Sequence, residues 1–313
     1  MDIHNLEQIK QEFSGFQQEF ENGNKEKALE KLLELLDALE KADTSRRAAQ
    51  IDKDGNVTLS SEIPAGKPAA EKSAEDGTGK SQPLYMSLNH VMEYYIFAYY
   101  FQPATEVRCT DIPYGEYYRT YGQLALSMQK YNGAKKAYER AIAWNPVDLD
   151  AYLGLAEVYK YQNQREKYLT VTKQAYRYCC TRATMARYYR NMAFYYLSGY
   201  EPETARACYQ YSNVYYHTEN ADSELKYISE AIQQETPQTD IRAIQKLFDE
   251  KQIEPGPDSQ TIGIVYKVGE ILLKDGDYKL AKDCYSIVYD ITQDAAAEKM
   301  LNELEAAISG SEE

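Results

Sequence analysis

Apolar side chains recur at helical spacing along most of this chain. Residues 3–21 set Leu6, Ile9, Phe13, Phe16 and Phe20 on one side, and residues 25–42 do the same with Ala28, Leu32, Leu35 and Leu39. Asn22–Asn24 fall between them as a turn, so residues 1–42 predict an amphipathic helical hairpin. Residues 43–82 lose the pattern. Ser, Gly, Pro, Ala and Lys dominate, and only Ile51, Val57, Leu59 and Ile63 are large and apolar. Such a stretch cannot offset the entropy of ordering itself, and it reads as a flexible linker with a small hairpin over Gln50–Leu59. Residues 84–101 predict a third helix, aromatic on nearly all sides from Tyr94 to Phe101 and so buried on more than one face. Residues 103–114, with Pro103 and Pro113, follow as a loop.

From Tyr118 the chain reads YRTYGQLALSMQKYNGAKKAYERAIAWNP. Its spacing follows the 34-residue repeat pattern W-x₂-L-G-x₂-Y…A-x₃-F…P. Tyr118 stands in the tryptophan slot, Tyr121 in the leucine slot and Gly122 in the glycine slot, while Ala125 replaces the second aromatic. Ala134 and Tyr138 form the A-x-x-x-F pair, and Ala141 and Pro146 close the unit. A shift of 34 residues carries Tyr118 onto Tyr152, Tyr121 onto Leu155, Ala125 onto Tyr159 and Ala141 onto Ala175. That second unit departs from the pattern at Tyr168 and Thr172. A third unit holds Tyr189, Met192, Ala193, Tyr196, Ala205 and Tyr209, and a last holds Val268, Gly269, Leu272, Ala281 and Tyr285. Residues 221–234 and 238–252 predict a further helix pair without the pattern.

On these residues the chain resembles a tetratricopeptide-repeat protein. The resemblance implies an all-α fold: a right-handed α-solenoid of helical hairpins over 83–309, behind the N-terminal hairpin at 1–42 and the linker at 43–82. Repeats are expected at about 115–148, 149–182, 186–219 and 262–295, with a capping helix at 294–309 whose Met300, Leu301, Leu304 and Ile308 share one face.

Charge narrows the function. The net charge is −14, which opposes general affinity for nucleic acid or anionic membrane. The most apolar run, Val91 to Phe101, is too short to span a bilayer. Five cysteines without a C-x-x-C pattern, and a start without a secretory signal, read as reduced thiols in the cytoplasm. The three histidines lie far apart, and neither a metal-binding spacing nor a phosphate-cradling glycine loop occurs, so neither metal nor cofactor is expected. In Asp52-Lys53-Asp54-Gly55-Asn56 the glycine comes too early for a calcium loop. Small-residue packing accounts for Cys208 and Cys284, which stand where the first repeat has Ala.

The expected function is therefore non-catalytic protein or peptide binding as a scaffold or adaptor. The alternative is a cytoplasmic peptide-sensing receptor whose solenoid changes curvature on binding. In the family resembled here, the first helix of each hairpin lines a concave groove. Carried over slot by slot, that groove would present Arg119 and Gln123, then Glu157 and Lys160, then Arg187, Arg190, Phe194 and Leu197. Guanidinium groups beside an apolar patch suit an acidic peptide or a C-terminal carboxylate. The opposing reading is a solvated basic face with Phe194 and Leu197 in the core. Leu153 and Phe194 occupy slots that are polar in chaperone-binding members, so a heat-shock chaperone tail is not expected.

Overall fold

The computed structural model describes residues 6–42, 46–54, 56–59, 83–233 and 239–310. These residues form fourteen helices and five short strands. The chain divides into two compact units, Met1–Lys167 and Tyr168–Glu313. Each is described by itself.

The first unit opens with a hairpin of α1 (Leu6–Glu21) and α2 (Lys25–Ala42). Ile9 and Phe16 of α1 are buried with Leu32, Leu35 and Leu39 of α2, as the periodicity predicts. The helices α4 (Tyr114–Ser127), α5 (Tyr131–Trp144) and α6 (Leu149–Tyr161) form the next hairpin and its neighbour. The α1–α2 hairpin packs onto α4, where Phe13 stacks on Tyr117 with ring centroids 4.2 Å apart.

Between these elements lies a part of the chain that differs from the sequence expectation. Residues 84–101 are not one helix: β4 (Leu84–Met86) precedes α3 (Val91–Phe101). The supposed loop at 103–114 contains β5 (Val107–Cys109). β4, α3 and β5 make a parallel βαβ unit, with Leu84 opposite Val107 and Met86 opposite Cys109, and β1 (Arg46–Arg47) pairs on the other edge of β4. The reason is a two-residue period that a helical window hides. Leu84 and Met86 are buried while Tyr85 between them is not, and a strand alternates its faces in that way. Within the segment read as a linker, the small hairpin expected over Gln50–Leu59 is present. β2 (Ala49–Ile51) and β3 (Val57–Leu59) pair antiparallel, with Asp52 Oδ1 accepting from the backbone N–H groups of Asp54 and Asn56 in the turn. Residues 60–82 of that segment lie outside the described residues. α3 also differs from expectation, since Val91, Tyr94 and Tyr99 remain exposed and only one side of it is covered.

The helix α7 (Arg165–Tyr176) carries the division between the units. In the second unit, α8 (Arg182–Ser198) and α9 (Pro202–Tyr215) form a hairpin, and α10 (Glu219–Ile232) and α11 (Ile241–Lys251) both pack on α9. The buried Tyr189 stacks on Phe248 of α11 and meets Tyr211 of α9 edge-on. The last hairpin is α12 (Ser259–Lys274) and α13 (Tyr278–Thr292), and α14 (Ala295–Gly310) covers α13 with Ala297 and Leu304.

One backbone turn follows five helices. Its second residue is left-handed each time: Gly23 (φ 79°), Gln129 (60°), Asn163 (55°), Tyr200 (62°) and Gly276 (83°). The residue after it donates its N–H to the carbonyl five positions back, from Lys130 to Ala125 at 2.8 Å and from Asp277 to Leu272 at 2.9 Å, for example. This is the Schellman closure of a helix end. The hairpins also share a knob. Tyr138 of α5 is 2% exposed because Gly122 and Gly154 leave it room; a Cβ on them would lie 2.9 and 2.2 Å from its ring. Gly269 receives Tyr285 in the same way, with a notional Cβ at 3.1 Å.

Candidate functional site

The eight residues drawn from the groove slots fall in both units. Of the four in the first unit, Gln123 is exposed on α4. Glu157 and Lys160, one turn apart on α6, pair at 3.9 Å. Arg119 is committed within the fold. Its Nη1 donates to Asp148 Oδ1 at 2.9 Å and its Nη2 to Asn89 Oδ1 at 3.0 Å. A guanidinium held on two internal acceptors gains little by exchanging them for a ligand.

The other four lie on α8. Arg187, Arg190, Phe194 and Leu197 recur at intervals of three and four, which places them along one side of the helix. All four are half-buried, neither fully solvated nor sealed in the core. Phe194 leans edge-on against Tyr168, with centroids 5.4 Å apart. Residues 168–200 hold five Lys or Arg and no Asp or Glu, so this helix carries positive charge with nothing nearby in sequence to neutralise it. Arg190 Nη1 is buried with no hydrogen-bond partner. Burial first, and the neighbouring Arg187 charge second, push the Arg190 pKa down. A cation in that setting gains from any anion that arrives.

Sequence reasoning missed Asn191. It is 6% exposed, and its Nδ2 has no hydrogen-bond partner. A buried amide left unpaired costs about 1–3 kcal/mol. Asn191 lies four residues after Arg187 and three before Phe194, on the side those two define. That spacing was the available signal. The side of α8 thus offers two buried donors without acceptors, an N–H of Arg190 and one of Asn191, next to an apolar surface.

Residues 115–148 match the family described as tetratricopeptide repeat. The chain contains a tetratricopeptide repeat. Every side chain that identifies the repeat has its expected place: Tyr118, Gly122, Ala125, Ala134, Tyr138, Ala141 and Pro146 are buried, and Tyr121 is half-buried. Among solved structures, one similar to this chain is the APC/C hetero-tetramer Cut9-Hcn1. It is 14% identical with a TM-score of 0.36, and the match covers 63% of this chain and 38% of that one. Another is YrrB, described as a TPR protein with an unusual peptide-binding site, at 14% identity and a TM-score of 0.32, with 60% of this chain and 91% of that one covered. No curated protein matches the chain.

The tetratricopeptide repeat and its neighbours show no cluster for metal chemistry: among the described residues no three His, Cys, Asp or Glu side chains are placed to hold an ion. None of the helices described is long and apolar enough to cross a membrane. The five cysteines are free. Burial raises the pKa of Cys179, of Cys208 and of Cys284, the last to about 11, so these thiols stay protonated and unreactive at neutral pH.

Proposed function

We propose that this chain is a non-catalytic binding scaffold whose α8 side takes an acidic or C-terminal-carboxylate peptide. The observation that carries the reading is the pair of unneutralised guanidiniums beside Phe194, with a buried Nη1 of Arg190 that lacks an acceptor. A peptide carboxylate accepts from Arg187 and Arg190, its adjoining carbonyl accepts from Asn191 Nδ2, and an apolar side chain lies on Phe194 and Leu197. The reduced thiols go with a cytoplasmic setting.

A fluorescent pentapeptide ending in an apolar residue and a free carboxylate tests this, against the same peptide as its amide. The acid is expected to bind more tightly. An Arg187→Ala/Arg190→Ala variant that keeps its helical spectrum should lose about tenfold or more in affinity, since one charge-assisted hydrogen bond is worth about 1.5–3 kcal/mol. Equal binding of acid and amide, or of wild type and variant, overturns the proposal.

A further inference from the structure

The βαβ unit is fastened to the tetratricopeptide repeat by a buried polar seam that peptide binding does not use. Two carboxylates share it. Glu93 of α3 accepts from the Asn89 backbone N–H at 2.7 Å, from Asn89 Nδ2 at 3.0 Å and from Asn145 Nδ2 at 2.8 Å. Asp148 caps α6 by accepting from the Ala151 N–H at 3.1 Å and is 1% exposed. Arg119 is the cation bonded into the seam, and it bridges Asp148 to Asn89 of the inserted unit. One oxygen is left over: Asp148 Oδ2 is buried with no hydrogen-bond partner. Ser87 of the insertion is a neighbour here: its carbonyl lies 3.4 Å, and its Oγ and Asp148 Oδ2 each 3.7 Å, from the point a Cβ on Gly115 would occupy.

A buried carboxylate oxygen without a hydrogen-bond partner, with a second carboxylate acting on it, is costly to keep charged. We propose that this seam is a pH-sensitive fastening: the βαβ unit holds more tightly to the repeat when Asp148 is protonated. Protonation removes the charge from a buried oxygen that has no donor, and it removes the repulsion between Asp148 and Glu93. Burial raises the Asp148 pKa from 3.8 to about 6; Arg119 opposes the shift, Glu93 adds to it, and the Ala151 N–H and the Asn89 side chain oppose it. The folded form therefore binds the proton more firmly than the unfolded chain. The stabilisation is fully present below about pH 4 and is lost as pH rises through about 6. The charged groups facing Asp148 are Glu93 from α3 and Arg119 from α4, while Asp150, mostly exposed on α6, lies 3.8 Å from Arg119. His90, exposed at the start of α3, is the histidine of the insertion.

Hydrogen exchange of the α3 amides in the full chain tests the fastening, at about pH 5 and about pH 7.5 after correction for intrinsic rates. Protection in the wild type should be about tenfold or more greater at the lower pH, as a shift of one pKa unit or more implies. The dependence should vanish in Asp148→Asn and persist in His90→Gln. Wild-type protection that ignores pH, or dependence that survives in Asp148→Asn or disappears in His90→Gln, overturns it. Should Asp148→Asn fail to fold, carbon NMR of the wild-type Asp148 carboxyl decides. Titration near pH 6, with the Asn89 amide following, supports the fastening, and titration below about pH 4 ends it.

Discussion

Tyr200 is 93% exposed and sits in left-handed backbone with φ 62°. A side chain there makes almost no contact, yet its Cβ strains the turn. Gly276 occupies the same turn position at φ 83°, with open space around it. The two residues therefore predict opposite outcomes. Gly276→Ala should cost about 1 kcal/mol, and Tyr200→Gly should stabilise by about 0.5 kcal/mol, the wider freedom of unfolded glycine offsetting part of the relief. Urea midpoints of the two variants check this, and shifts of the same sign would refute it. Other residues show what sequence could reveal at this scale. Tyr138 and Gly122 were legible because the repeat fixes their spacing. Asn191 was not, because an asparagine on a helix reads as surface until its burial is known. Arg119 entered the groove by slot, and its partner Asp148, 29 residues on, is visible only in the fold.

Among the elements, helices were legible wherever an apolar stripe and a turn agreed. The β2–β3 hairpin was legible from its turn, but the parallel strands were not. β4 spends three residues, Leu84–Met86, and earns its hydrogen bonds from β1 and β5, which are distant in sequence. Local propensity cannot register partners of that kind. Close approach of helices was partly legible, since glycine marked where α4 and α6 receive the Tyr138 ring. Gly154→Ala places a methyl 2.2 Å from that ring and should cost about 1–3 kcal/mol through a forced shift of α5 against α6. Gly263→Ala serves as the contrast. It lies in α12 with nothing within 4 Å, and there the substitution should stabilise by about 0.5–1 kcal/mol. Denaturant unfolding of the pair measures both, and a neutral Gly154→Ala would contradict the packing described.

For the molecule as a whole, the sequence showed its charge and its repeat but not what interrupts the repeat. The stretch 168–200, free of carboxylates within a chain of net −14, was legible as a basic region, whereas burial of the Arg190 Nη1 needed coordinates. The α1–α2 hairpin packs on α4 as if it preceded it directly, yet residues 43–113 run between them. That detour matters for the order in which the chain folds. Hairpins closed by three-residue turns form from neighbours, but bringing Phe13 to Tyr117 closes a loop of roughly 100 residues, at an entropic cost of about 4 kcal/mol. Contacts of that range are late contacts. Trp144, the single tryptophan, stacks on Tyr114 and lies beneath Arg47, which α2 holds through Glu40. Its fluorescence is therefore a clock for the first hairpin's arrival. In refolding it should lag the return of helical circular dichroism, and simultaneous recovery of the two signals would show that the detour costs the chain no time.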